Sequence, residues 1–227
     1  MPTKRLKVHN VGSGGVQMKT DVHQLPIGGK WTLEDLYVFP RLYEQCYFMY
    51  LALDPDSREF DDDRVRHAYE AFPWQGGYSA VDFYNQLKWA VPRRRRPRIT
   101  RIRYSSPGLI ELGTLSVVVA LNIEKVVRNI CNSAKIISGT YTAVYRDMKK
   151  RKLLRIKTEK EIRKLSPAEI RIIEAHAEDI ADILDVNLGV LNERTGSPYK
   201  SVKILLSLFR RVRSLAGFQK DGKLRLK

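Results

Sequence analysis

Seven of the eleven residues from Arg93 to Arg103 are arginine, in the run PRRRRPRITRIRYSSPG. A guanidinium is always charged, and its planar fork fits phosphate and carboxylate. Arg93, Arg94, Arg95, Arg96, Arg98, Arg101 and Arg103 therefore read as contacts for a phosphate backbone, each neutralised phosphate adding roughly one unit of salt dependence. Charge runs are also often simply solvated. The acidic segment at Asp61, Asp62 and Asp63, or the stripe Glu174, Glu178, Asp182 and Asp185, offers a partner within the chain.

A second basic group lies near the C-terminus. At about 100° per residue, Lys200, Lys203, Arg210 and Arg211 fall on one arc of a helix opening at Ser197-Pro198. Val202, Leu205, Leu206, Phe209, Val212 and Ala216 fall opposite. A helix of this kind packs on a core and turns its basic face to nucleic acid. It equally suits an in-plane helix on an anionic membrane, or an ordinary amphipathic surface helix.

No arrangement of residues reads as catalytic. The chain lacks a phosphate-cradling glycine loop with a lysine, a zinc-protease helix and a serine elbow. His9, His23, His67 and His176 are scattered, and three consecutive aspartates cannot all point into one site. Metal binding on the Glu174 stripe wants a histidine, and His176 is rotated about 200° from Glu174. The two cysteines, Cys46 and Cys131, match no metal or redox spacing and read as small buried hydrophobes. The expectation is a non-enzyme with no cofactor and no metal. A carboxylate site assembled from distant residues is the one enzymatic arrangement a single sequence can hide.

Charge is laid out in blocks. Residues 83–164 carry 21 Lys/Arg against 5 Asp/Glu, while residues 54–82 and 165–187 each net −5, within a whole-chain balance of +16. So basic a chain favours nucleic acid, an anionic membrane surface or an acidic protein as partner. With 43% hydrophobic residues, a packed core is available. The first residues, MPTKRLKVHNVG, lack the apolar core of a secretory signal, which reads as a cytoplasmic protein.

The elements that must position these groups follow from caps and periods. RLKVHNV and VQMKTDV around GSGG suggest a hairpin. Thr32 caps a helix to about Leu53, kinked or divided at Pro40. Its aromatics, Tyr37 to Tyr50, are more often core than a base-stacking platform. Helices DRVRHAYEAF and AVDFYNQLKWAV follow, the second stopped by Pro92. RITRIRY reads as a strand, with Arg101 and Arg103 on one face and Thr100, Ile102 and Tyr104 on the other.

From about Leu109 a long helix is expected. Leu109 to Ile123 is too short and too charged for the ~20 apolar residues of a membrane span, so it reads as buried core. Ser116, Val119, Ile123, Val126, Ile130, Ser133, Ile137, Thr140, Val144 and Met148 step by three and four, close to a period of ~3.5. Val119, Ile123, Val126, Ile130 and Ile137 are thus candidates for an oligomer or partner interface, with Gly139 as the expected break. Ser166-Pro167-Ala168-Glu169 opens a helix to about Val186, whose core stripe is Ile170, Ile173, Ala177, Ile180 and Leu184. FQKDGKLRLK suggests a terminal hairpin around Asp221-Gly222.

The expected fold is mainly α, an α+β protein with a few short strands, a long central helix and a two-helix C-terminal part. It divides into residues 1–91 (aromatic-rich helices), an arginine linker at 92–98, a strand and central helix over 99–164, and 165–227. The expected function is nucleic-acid association as a subunit of a larger complex, DNA and RNA being indistinguishable at this level. Self-association through the central helix, or peripheral binding to anionic membranes, are the alternatives.

Overall fold

Side-chain caps set the helical frame. The computed structural model describes residues 21–54, 62–71, 77–105, 108–114 and 116–226. Thr32 accepts from the Asp35 N–H while the Asp35 carboxylate accepts from the Thr32 N–H, opening α1 (Leu33–Leu53). The same reciprocal pair, Ser166 with Glu169, opens α7 (Pro167–Leu184). A third, Thr158 with Glu161, starts the single-turn α6 (Glu159–Ile162). Each box satisfies backbone donors that a helix start otherwise leaves orphaned. Pro40 lies inside α1, which continues through it.

The protein is mainly α with a small sheet. In chain order it runs β1 (Asp21–Ile27), α1, α2 (Asp62–Ala71), α3 (Gly77–Trp89), β2 (Arg98–Arg103), β3 (Gly108–Thr114), α4 (Val117–Asn132), α5 (Ala134–Lys150), α6, α7, α8 (Leu188–Thr195) and α9 (Pro198–Lys220). The strand order is β1-β3-β2, antiparallel throughout. The hairpin expected over the first twenty residues lies outside the described residues, as does Asp61.

Three expectations are corrected. Gly108–Thr114 is the middle strand, and helix begins only at Val117. A short apolar run such as LIELGT fits buried strand and buried helix alike, and pairing on both edges decides for strand. The long central helix is two: Ser133 (φ −113°, ψ 28°) breaks it between α4 and α5, while Gly139 sits inside α5. At the C-terminus no two-stranded hairpin forms. α9 continues to Lys220, Gly222 turns the chain at φ +69°, and Leu224 bridges Ile27 at the end of β1.

The core is continuous. It draws residues from α1–α5, α7–α9, β1 and β3, from Leu25 to Leu226. At its centre is α9, buried on nearly every side from Tyr199 to Ala216 and packed against α1, α4, α7 and α8. In the core stripe of α7, Ile173, Ala177, Ile180 and Leu184 are buried, but Ile170 is exposed.

Lys223 fastens the C-terminal turn to the start of α1, its Nζ lying 2.6 and 2.7 Å from the two carboxylate oxygens of Asp35. That hydrogen bond, with the Thr32 N–H, holds the Asp35 carboxyl below its ordinary range. A lowered folded-state pKa contributes stability above the ordinary aspartate value of ~3.9, and that contribution is lost as pH falls through the lowered value. Asp35→Asn is therefore expected to unfold at lower urea than wild type at neutral pH, the gap closing in acid. A gap constant from neutral to strongly acidic pH contradicts this.

Candidate nucleic-acid interface

The arginines sit on an edge strand. β2 pairs with β3 alone, and all six of its residues are exposed. Its register slips between Ile99 and Arg101, with Thr100 as the extra residue. Simple alternation puts Arg98 on the face opposite Arg101. The bulge reverses this, because a one-residue slip moves side chains across the sheet. Arg98, Arg101 and Arg103 pair opposite Gly113, Glu111 and Leu109, all on one face of β3. Ile99 and Ile102 pair opposite Leu112 and Ile110, on the core face. The Thr100 hydroxyl donates to the Glu111 carbonyl at 3.2 Å across the bulge.

The four arginines before the strand are partly ordered by main-chain carbonyls. Arg93–Arg95 form a single 3-10 turn. Arg96 Nε donates to the Val91 carbonyl at 2.9 Å, and Arg98 donates to the Arg94 carbonyl at 3.0 Å. Arg93 and Arg94 are exposed, and Arg95 and Arg96 half-buried. Among the described residues, no carboxylate forms an ion pair with Arg93, Arg94, Arg98, Arg101 or Arg103. Two of the internal acids are occupied elsewhere: Asp63 pairs with Arg66, and Asp185 with Lys125. Glu111, beside Arg101 in register, accepts from Gln24.

The basic arc of the last helix is corrected. Lys200 is only 5% exposed and pairs with Glu159 at 2.6 Å, pinning α6 to α9. Lys203 is half-buried over the Tyr199 ring and near the Ile156 carbonyl, and burial pushes its ammonium down to about 8. Arg211 donates to Gln45 and Ser207, and its guanidinium lies 3.9 Å from the centre of the Tyr84 ring. Only Arg210 of the four is exposed. The apolar side of α9 is covered by the rest of the chain, and among the described residues no helix is long and apolar enough to cross a membrane.

The proposed interface seam is also corrected. Val119, Ile123, Val126, Ile130 and Ile137 are all buried, and α4 packs on α9, α1, α5, α7 and β1 of the same chain. The apolar side chains of α4 and α5 left in water are Val118, Leu121, Ile136 and Tyr145, none of them on the seam.

Two further features lie outside the contacts expected from sequence, a connector whose basic composition is plain in KKRKLLRIKTEKEIRK (149–164) and a small cleft. The connector from Lys149 to Lys164 exposes Lys149, Lys150, Lys152, Arg155, Lys157, Lys160, Arg163 and Lys164. Its acids are tied locally: Glu159 to Lys200, and Glu161 to the cap at Thr158. Asp147, just before it, accepts from Arg151 and meets His176 Nε2 at 2.9 Å, and the His176 contact leads in holding its carboxyl low. The Tyr199 hydroxyl holds the connector by donating to the carbonyls of Leu153 and Ile156. The second feature is a cleft of about 210 Å³ at the sheet end, lined by Gly28, Gly29, Tyr104 and Arg225. A Cβ on Gly28 would stand 2.1 Å from Arg225 Nε, so this glycine makes room for the guanidinium. Both features depend on which acids are occupied and on long-range packing, which composition does not reveal.

His23 Nε2 lies 2.6 Å from Glu124 Oε1 under the sheet. Burial pushes the Cys46 thiol up to about 12, which makes it a poor nucleophile at neutral pH. Among the described residues, no cluster of three His, Cys, Asp or Glu could hold a metal ion. No protein-family model, curated protein or solved structure matches this chain.

Because the α4 seam is core, Ile123→Ala should cost roughly 2–5 kcal/mol of unfolding free energy. The sedimentation behaviour of the folded variant should equal that of wild type. A change in oligomeric state with little loss of stability returns the seam to the surface.

Proposed function

We propose that this chain is a non-enzymatic, cytoplasmic, nucleic-acid-associated protein that acts as a subunit of a larger complex. Phosphates are contacted by Arg98, Arg101 and Arg103 on the sheet face, by Arg93 and Arg94 before it, and by the connector at 149–164. The observation that carries this reading is the row of three exposed strand arginines, brought to one face by the bulge and left without carboxylate partners. Guanidinium groups held on a strand present their forks at fixed spacing, which phosphate oxygens along a backbone can meet. Nothing marks a base-reading helix, so the contacts are expected to position nucleic acid without selecting sequence. Membership of a complex is supported by Val118, Leu121 and Ile136, apolar side chains uncovered on α4 and α5.

The test is affinity for DNA and RNA measured across about 50–200 mM salt, where several phosphate contacts cost orders of magnitude. The triple variant Arg98→Ala/Arg101→Ala/Arg103→Ala should flatten the slope of log affinity against log salt by about 2–3 units. Lys200→Ala should leave the slope unchanged and lower stability instead, since Lys200 is buried on Glu159. Wild-type binding that ignores salt, or no binding at low salt, overturns the reading.

A further inference from the structure

Between β2 and the first half of α1 lies an open cleft of about 410 Å³. That is within the ~300–1,000 Å³ of small-ligand sites. Buried Phe39, Tyr43 and Leu112 supply its floor, from α1 and β3. Its rim is different. Tyr37 is 68% exposed and Ile99 42% exposed, an aromatic and an aliphatic side chain left in water across an apolar hollow. Two exposed arginines, Arg41 and Arg98, also line it, and neither has a carboxylate partner among the described residues. Glu44, the one acid in the lining, is neutralised by Lys88 at 2.9 Å. The hydroxyl of Tyr43 is buried without a hydrogen-bond partner among the described residues.

We propose that this cleft receives one unstacked base of a single-stranded nucleic acid, while the β2 arginines hold the adjoining phosphates. The inference rests on the phosphate-binding reading above and adds the form of nucleic acid. Its carrying observation is the juxtaposition of an apolar hollow and a partnerless arginine row that share Arg98. A flat heteroaromatic ring removes Tyr37, Ile99 and Leu112 surface from water, and its edge carries acceptors for a hydroxyl or guanidinium. The phosphates that flank it fall to Arg41 and Arg98. A duplex keeps its bases stacked and paired, and extruding one costs free energy that a single strand does not pay. Stacking on an aromatic rim tolerates any base, in keeping with the lack of a base-reading helix.

The test compares a short mixed-sequence single strand carrying one fluorescent purine analogue with its blunt duplex, using the full chain. Two variants address the cleft. Ile99→Trp fills it, and Tyr37→Ala removes the aromatic rim at a position exposed enough to leave folding intact. Arg101→Ala is the control on the phosphate row away from the cleft. Wild type should bind the single strand about tenfold more tightly than the duplex, with a change in analogue emission. Both cleft variants should lose most of that preference while keeping the duplex affinity and its salt slope. Arg101→Ala should weaken both forms and keep the preference. Equal wild-type affinity for the two forms with a normal salt slope overturns the cleft and leaves the phosphate row standing. Absence of binding to either form overturns both. Polyglutamate bound as tightly as the single strand, and equally by the cleft variants, also overturns the proposal.

Discussion

Burial of α9 is the constraint on which the structure depends. A helix enclosed over most of its surface must satisfy the polar groups it buries, because an unpaired charge in the interior costs several kcal/mol (about 3–5 when a partner is removed). Each polar group is met from a different element. Lys200 takes Glu159, Arg211 takes Gln45, Ser207 and the Tyr84 face, and Ser201 takes Thr195. These contacts tie α6, α1, α3 and the end of α8 to one axis. Phe209 stacks on Tyr141 at 4.3 Å and draws in α5. Lys200 and Arg211 are therefore structural and cannot face a polyanion without opening the core, whereas Arg210 and Arg213 on the same helix stay exposed.

The same requirement distributes charge over the rest of the molecule. Of the acids that have partners, Asp35, Asp147, Glu159 and Glu161 serve caps, the terminal turn, the α5–α7 contact and the α6–α9 contact. Their basic partners are either local or buried. The arginine row lies outside this scheme. Coulomb attraction between exposed charges is weak in water and screened beyond about 8–10 Å at moderate salt. The acidic stripe of α7 thus acts on the row only if it lies close, and its one occupied carboxylate, Asp185, is taken by Lys125 of α4. Among the described residues the basic excess is an external field.

How much of this was legible followed from the range of each signal. Caps are local, so the helix starts at Thr32 and Ser166 could be read from a few residues, while the reciprocal bond from Asp35 is seen only in the structure. The mainly helical class came from periods and caps together. The α9 error came from projecting charge onto a helical wheel. The wheel gives directions, but it cannot say how many neighbours surround the helix, and Lys200 and Arg211 point at neighbours. The α4 seam was read correctly as apolar and wrongly as uncovered, since its cover is α9, some 85 residues away (as in the Cys131–Ala216 contact). The bulge at Thr100 was not legible. RITRIR alternates cleanly, and only β3 in register exposes the slip that brings Arg98 to the side of Arg101 and Arg103.

An arginine-rich edge strand has an ordinary use, and its magnitude separates that use from binding. Exposed strand edges invite pairing with another chain, and charged residues on the edge are one protection against it. Such protection needs only a charge or two, and it works by position along the edge. Here three arginines stand on the open face of the sheet, with Arg93 and Arg94 beside them, while Ile99 and Ile102 remain about 40% exposed on the other face. A strand shaped only to resist pairing has no reason to leave those isoleucines in water beside a hollow. Nor does it require a bulge that gathers the charges on one side. Gathering them raises their mutual repulsion, a cost that an anion along the row removes. Glu111, opposite Arg101 on the same face, offsets only part of that repulsion.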